Sequence, residues 1–111
     1  MAANIKRYIA KLVQSGTGAP VATVLGNSYD GAISFSRNTT GDYTCHSSGG
    51  EFVLAKTVIR FQEITDAGNV IGINVSRNND EFPTDFYFQQ LLNSEAYGDN
   101  MQCFIEITTF P

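Results

Sequence analysis

Ala32-Ile33-Ser34-Phe35-Ser36-Arg37 alternates apolar and polar residues almost without a break. A two-residue period marks a strand with one face in a core and the other in water. Asn38-Thr39-Thr40-Gly41-Asp42 follows, a cluster of turn formers, and Tyr43-Thr44-Cys45-His46 returns as a second strand. Together they predict a β-hairpin. Further along, Thr57-Val58-Ile59-Arg60-Phe61-Gln62-Glu63-Ile64 and Val70-Ile71-Gly72-Ile73-Asn74-Val75-Ser76 flank Thr65-Asp66-Ala67-Gly68-Asn69. Gly, Asp and Asn tolerate positive φ or bond to their own backbone, so a second hairpin is expected there.

The remaining segments agree with this reading. Pro83 bars Phe82 from the helical region and closes the loop begun at Asn78. Asp85-Phe86-Tyr87-Phe88-Gln89-Gln90-Leu91-Leu92 has poor helical periodicity and aromatics that suit a pleated surface. Met101 to Phe110 forms a closing strand, and Val21 to Leu25 a short one before the Gly26–Gly31 turn. Seven or eight short strands with closely spaced turns predict an all-β fold, an antiparallel β-sandwich or jelly-roll-like arrangement. Its 111 residues are expected to form a single domain, 1–111, large enough to bury one core.

Residues 5–14 fit two descriptions. Ile5, Tyr8, Ile9, Leu12 and Val13 fall on one stripe of a helix, which Asn4 and Gly16 would cap. As a strand, Tyr8, Ala10 and Leu12 share one face, and Arg7, Ile9, Lys11 and Val13 the other. That second face mixes charge with β-branched apolar residues, as an edge strand or a subunit contact does. Periodicity alone puts helix ahead.

Composition excludes several functions. The net charge of −4 argues against non-specific nucleic-acid binding. Charge is uneven along the chain. Residues 1–60 carry six cations against three carboxylates, while residues 61–111 carry Arg77 against eight. Interleaved strands would mix these charges in space; alternatively, identical subunits would pair a basic edge with an acidic one. No apolar run approaches membrane-spanning length, so no membrane partner is expected. The charged start, Lys6-Arg7, offers no signal peptide, so the chain is expected to be made in a cytoplasm. Cys45 and Cys103 lie far apart in apolar runs, outside any CxxC or Cys/His cluster. They read as reduced core residues, with a cross-strand disulfide as the alternative.

No catalytic set is complete. His46 is the sole histidine, and although Ser47 and Ser48 follow it, no orienting group or strained nucleophile turn is evident. Asn78, Asn79, Asp80 and Glu81 are rich in oxygen but lack EF-hand spacing, so they read as a solvated turn. Asp80, Glu81 and Asp85 contain enough carboxylates for glycoside hydrolysis, but a deep cleft is hard to build in this length without tryptophan. Ser15-Gly16-Thr17-Gly18 lacks the lysine of a phosphate-binding loop. No enzyme activity, cofactor or metal is expected. Asn38-Thr39-Thr40 and Asn74-Val75-Ser76 match the N-glycosylation pattern only formally, without a secretion signal.

Binding candidates are less specific. Tyr29, Tyr43, Phe82, Tyr87 and Tyr97 lie in or near turns and suit a sugar- or protein-binding surface. Phe35, Phe61, Phe86, Phe88 and Phe104 are assigned to the core.

Tyr8-Ile9-Ala10-Lys11-Leu12-Val13-Gln14-Ser15-Gly16-Thr17-Gly18-Ala19-Pro20-Val21-Ala22-Thr23-Val24-Leu25 resembles the opening of a group of small β-rich proteins and domains of Bacteroidota and their phages. The group's pattern is an aromatic–apolar strand, a Gly-Thr turn, the run Ala-Pro-Val-Ala-Thr-Val-Leu, and an alternating strand, here Ala32 to Arg37. Phe104-Ile105-Glu106-Ile107 resembles its closing strand. The match is good over about the first 45 residues and loose beyond. The resemblance implies strand for residues 5–14 and a virion structural protein: a capsid decoration, head-fibre or tail accessory subunit. Its implied partners are other virion proteins and further copies of itself, as a homotrimer. Lys6, Arg7, Tyr8 and Lys11 are then the expected assembly contacts. The alternative is a carbohydrate- or cell-surface-binding module using Tyr29, Tyr97, Asn78, Asn79 and Asp80 toward a surface glycan.

Overall fold

The computed structural model describes residues 5–53, 55–63, 70–76, 84–92, 98–99 and 101–111. The fold is all-β and contains eight strands among these residues. They are β1 (Lys6–Val13), β2 (Val21–Asn27), β3 (Ile33–Thr39), β4 (Asp42–Ser47), β5 (Thr57–Glu63), β6 (Val70–Ser76), β7 (Asp85–Leu92) and β8 (Gln102–Thr109). Two four-stranded sheets pack face to face, one in the order β2-β1-β8-β5 and the other β3-β4-β7-β6. All pairings are antiparallel. The chain therefore forms a β-sandwich.

Residues 5–14 resolve as a strand. Tyr8, Ala10 and Leu12 are buried, and β1 is hydrogen-bonded on both sides, to β2 and β8. Tyr8 and Leu12 are four residues apart, a spacing that satisfies a helix stripe and a strand face alike. Ile9 and Val13 break the tie. They lie beside Arg7 and Lys11 on the outer face, where a helix-based reading would have buried them.

The β3–β4 hairpin forms as expected, with Gly41 in the left-handed region at φ 69° in its turn. The second hairpin does not. β5 pairs with β8 and β6 with β7, in opposite sheets. Residues 65–69 lie outside the described residues; their composition allows a reversal but does not encode whether the two strands stay in one plane. β8 buries Cys103, Ile105 and Ile107, and it takes β1 and β5 as its two neighbours. With β5 paired to β8 and β6 to β7, the strands β5 to β8 are arranged as a long hairpin folded over the core, in the manner of a jelly roll.

The core joins the two inner faces. Phe88 lies at its centre, with ring centroids 5.1 Å from Phe61, 5.5 Å from Tyr43 and 6.2 Å from Phe35. Phe52 extends the cluster, 5.5 Å from Phe86 and 5.7 Å from Tyr29. Cys45 and Cys103 are buried and free, and burial pushes both thiols up, Cys103 to about 12. Such thiols stay protonated and inert near neutral pH.

Polar ties close the sandwich. At one end, Arg37 Nη2 donates to Asp99 Oδ2 at 2.8 Å and Nε to Oδ1 at 3.1 Å. Gly41 N–H and the Tyr43 hydroxyl also reach Asp99 Oδ1. The Tyr43 hydroxyl lies 2.9 Å from Gln14 Oε1 as well, so its single proton is shared between two acceptors. All three donors to this carboxylate belong to the β3–β4 hairpin of the second sheet, and Gln14, just after β1 of the first, joins the network through the Tyr43 hydroxyl. Elsewhere, Glu51 Oε1 accepts the Gly31 N–H at 2.7 Å. A Cβ on Gly31 would lie 2.5 Å from the Gly49 backbone nitrogen, so only glycine permits that approach.

Candidate interaction surface

The aromatics assigned to a surface and to the core partly exchange places. Tyr29 is only 6% exposed, and its hydroxyl is 2.7 Å from Thr109 Oγ1. The Asn27 side chain accepts the Tyr29 N–H at 2.9 Å, bending the turn so that the ring enters the core. Tyr29 is therefore a core residue rather than a glycan contact. Tyr43 is buried as well. Phe104 moves the other way and is 38% exposed. It shares strand parity with Glu106, and both lie on the outer face of β8. Phe82, Tyr97, Asn78, Asn79 and Asp80 lie outside the described residues.

The expected assembly contacts divide by the same parity. Tyr8 is in the core, and its hydroxyl has no hydrogen-bond partner among the described residues. Burial raises its pKa to about 12. Lys6 Nζ reaches Asp30 at 3.1 Å. Arg7 and Lys11 project from the outer face of the first sheet, and Arg7 Nε lies 3.3 Å from Glu106 Oε2.

That outer face has a definite composition. The pairing of β1 with β8 sets Lys11 opposite Phe104 and Ile9 opposite Glu106, and the pairing of β8 with β5 sets Arg60 opposite Glu106. A depression of about 140 Å³ is lined by Arg7, Val58, Arg60, Glu106, Thr108 and Phe110. A shallower one of about 350 Å³ involves Ile9, Arg60, Gln62 and Phe104. Lys11 and Arg60 form no ion pair among the described residues. Two free cations therefore border an apolar strip made by Ile9 and Phe104.

β2 continues this face to the sheet margin. Val21 is 67%, Leu25 61% and Val24 53% exposed. Val24 is opposite the fully buried Ala10, so even the inner side of β2 extends past the cover of the second sheet. Three large aliphatic side chains this exposed on one edge strand are uncommon on a protein that meets only water.

The outer face of the second sheet carries the one histidine. His46 Nδ1 is hydrogen-bonded to Asp85 Oδ1 across β4 and β7. Asp85 supplies the orienting carboxylate that was not evident from sequence. Neither serine beside the histidine is offered to it. Ser47 is buried and accepts the Glu51 N–H, while Ser48 Oγ accepts the Ala32 N–H. Among the described residues, no three His, Cys, Asp or Glu side chains converge.

Sequence reasoning identified Arg7 and Lys11 but missed Arg60 and Phe104. The parity of Phe104 with Glu106 and of Arg60 with Val58 was the available signal. No protein-family model, curated protein or solved structure matches this chain.

Proposed function

We propose that this protein is a non-enzymatic structural subunit of a bacteriophage virion, a capsid decoration, head-fibre or tail accessory protein, acting through protein–protein contacts in a symmetric oligomer. One observation carries the contact reading. The outer face of the first sheet carries an apolar strip, half-buried Ile9 and exposed Phe104, bordered by Lys11 and Arg60, which form no ion pair among the described residues. Apolar residues within a charged rim are the anatomy of an interface centre, and the free cations favour an acidic partner surface. The virion assignment is supported by the resemblance of residues 8–25, which span most of the β1–β2 hairpin next to that strip.

Mass photometry, together with co-sedimentation with virions of the phage whose genome encodes the chain, tests the proposal. The expected result is an oligomer that pellets with the particles. A monomer that stays in the supernatant would overturn it. Capsid, portal or tail genes beside this one are the expected genomic setting.

A further inference from the structure

β2 is the margin of its sheet, and one feature sets it apart from the other edge strands. From Leu12 to Tyr29 the sequence contains no charged residue. β5 carries Arg60 and Glu63, and β3 carries Arg37. β6 is uncharged, but Asp66 and Arg77 flank it in sequence and its Ile73 and Val75 pack against the core. Proteins protect sheet edges with charges, short strands or cover, because an unpaired row of N–H and C=O groups invites another strand. β2 has seven residues, no charge, and exposed Val21, Val24 and Leu25.

We propose that β2 pairs antiparallel with β2 of a second copy, joining two first sheets into one continuous eight-stranded sheet. This rests on the assembly reading above and names its self-contact. The occupant is a second copy for reasons of charge and symmetry. Each chain carries a net −4, so two copies repel except where they meet through an uncharged element. Antiparallel pairing of identical strands is two-fold and closes at two copies, in place of the trimer implied by the resemblance. An axis through Thr23, perpendicular to the sheet, opposes Thr23 to Thr23, Ala22 to Val24 and Val21 to Leu25. Inner residues then meet inner residues, and cross-strand Thr–Thr and aliphatic pairs are favourable. The register shift between β1 and β2 leaves Leu25 as the extra residue, which confines the pairing to Val21–Leu25. A contact this short is small, so the dimer is expected to dissociate on dilution, with a Kd on the order of micromolar. Dimerisation sets the two apolar-cationic strips side by side on one surface and doubles the area offered to a larger partner.

The test is site-specific cross-linking of the whole chain. Opposed Cβ atoms across a two-fold pair lie about 4.5–5.5 Å apart, close enough for a disulfide after small adjustment. Thr23→Cys under mild oxidation is expected to yield mainly a covalent dimer, while Ser36→Cys on the β3 edge is not. Cys45 and Cys103 are buried and do not compete. In sedimentation velocity, Thr23→Lys is expected to weaken dimerisation roughly tenfold or more, because like charges meet on the axis. Equal cross-linking of both cysteine variants would overturn the proposal, as would a trimer insensitive to Thr23→Lys. So would a chain monomeric up to about 100 μM. A trimer or monomer that still pellets with virions overturns only the β2 contact; a monomer that does not pellet overturns the assembly reading too.

Discussion

The two sheets share a core but present opposite outer faces. The second sheet shows mostly short polar side chains, Ser34, Ser36, Thr44 bonded to Asn38 and His46 bonded to Asp85, with half-buried Tyr87 opposite Thr44. The two polar pairs satisfy each other. The first sheet shows long and bulky side chains, among them Ile9, Phe104, Lys11 and Arg60; Arg7 is paired with Glu106, while Lys11 and Arg60 form no ion pair among the described residues. Both faces obey the strand alternation that builds the sandwich. Alternation therefore explains the inner residues and leaves the outer ones free to record what each face meets.

Removing the part common to both faces should have the largest effect. Phe88 touches rings from β3, β4, β5 and β7, so Phe88→Ala opens a cavity under both sheets. Urea unfolding should show a loss of about 3–5 kcal/mol. A much smaller loss would mean that the two layers are not held through this ring.

Next is the carboxylate that fastens the segment before β8 to the β3–β4 hairpin. The Arg37 guanidinium, with help from the Gly41 N–H and the Tyr43 hydroxyl, holds Asp99 at about 2, against an ordinary 3.8. A depressed folded pKa contributes stability above the ordinary value and loses it as the pH falls through the folded one. The contribution is about 2 kcal/mol near neutrality, fading between about pH 4 and pH 2. Asp99→Asn should remove that acid dependence from the unfolding curve and converge with the parent near pH 2. Parallel curves for the two proteins across this range would rule out Asp99 as the titrating tie.

How much of this was readable from sequence depended on which spacings are ambiguous. The Ala32–His46 hairpin was readable because a strict period of two has no helical counterpart. The four-residue spacings Tyr8–Leu12 and Ile9–Val13 fit both periods, and only the resemblance favoured strand. The supposed β5–β6 hairpin failed because turn chemistry is local, whereas sheet membership depends on β8 needing two neighbours. At the candidate surface, Arg7 and Lys11 were identified from the mixed face of β1. Phe104 was assigned inward by residue type although its parity placed it outward. Tyr29 was assigned outward as a turn residue, whereas the Asn27 side chain turns it in.

Comparing charge reversals on the two faces tests their roles directly. Lys11→Glu combined with Arg60→Glu should weaken co-sedimentation with virions at least about tenfold, or ~1.4 kcal/mol, and leave folding stability nearly unchanged. Ser36→Glu with Thr44→Glu, on the second sheet, should leave both co-sedimentation and folding stability nearly unchanged. The second pair adds half as much negative charge as the first; a loss from it in proportion to that charge would show that net charge governs binding, and the distinction between the faces would collapse.

The smallest expected effect concerns an exposed polar pair on each face. Asp85→Asn removes the carboxylate from His46, and Glu106→Gln removes the one beside Arg7 and opposite Arg60. Both pairs are substantially solvent-exposed, so each substitution should lower stability by less than about 1 kcal/mol in thermal unfolding. Their effects on binding should differ. On the second sheet the loss leaves a polar face polar. On the first it leaves Arg7, Lys11 and Arg60 without a carboxylate among them, so affinity for an acidic partner surface should rise, and the rise should shrink as salt is added. A Glu106→Gln protein that binds virions no better at low salt would indicate that the strip is held by its apolar residues alone.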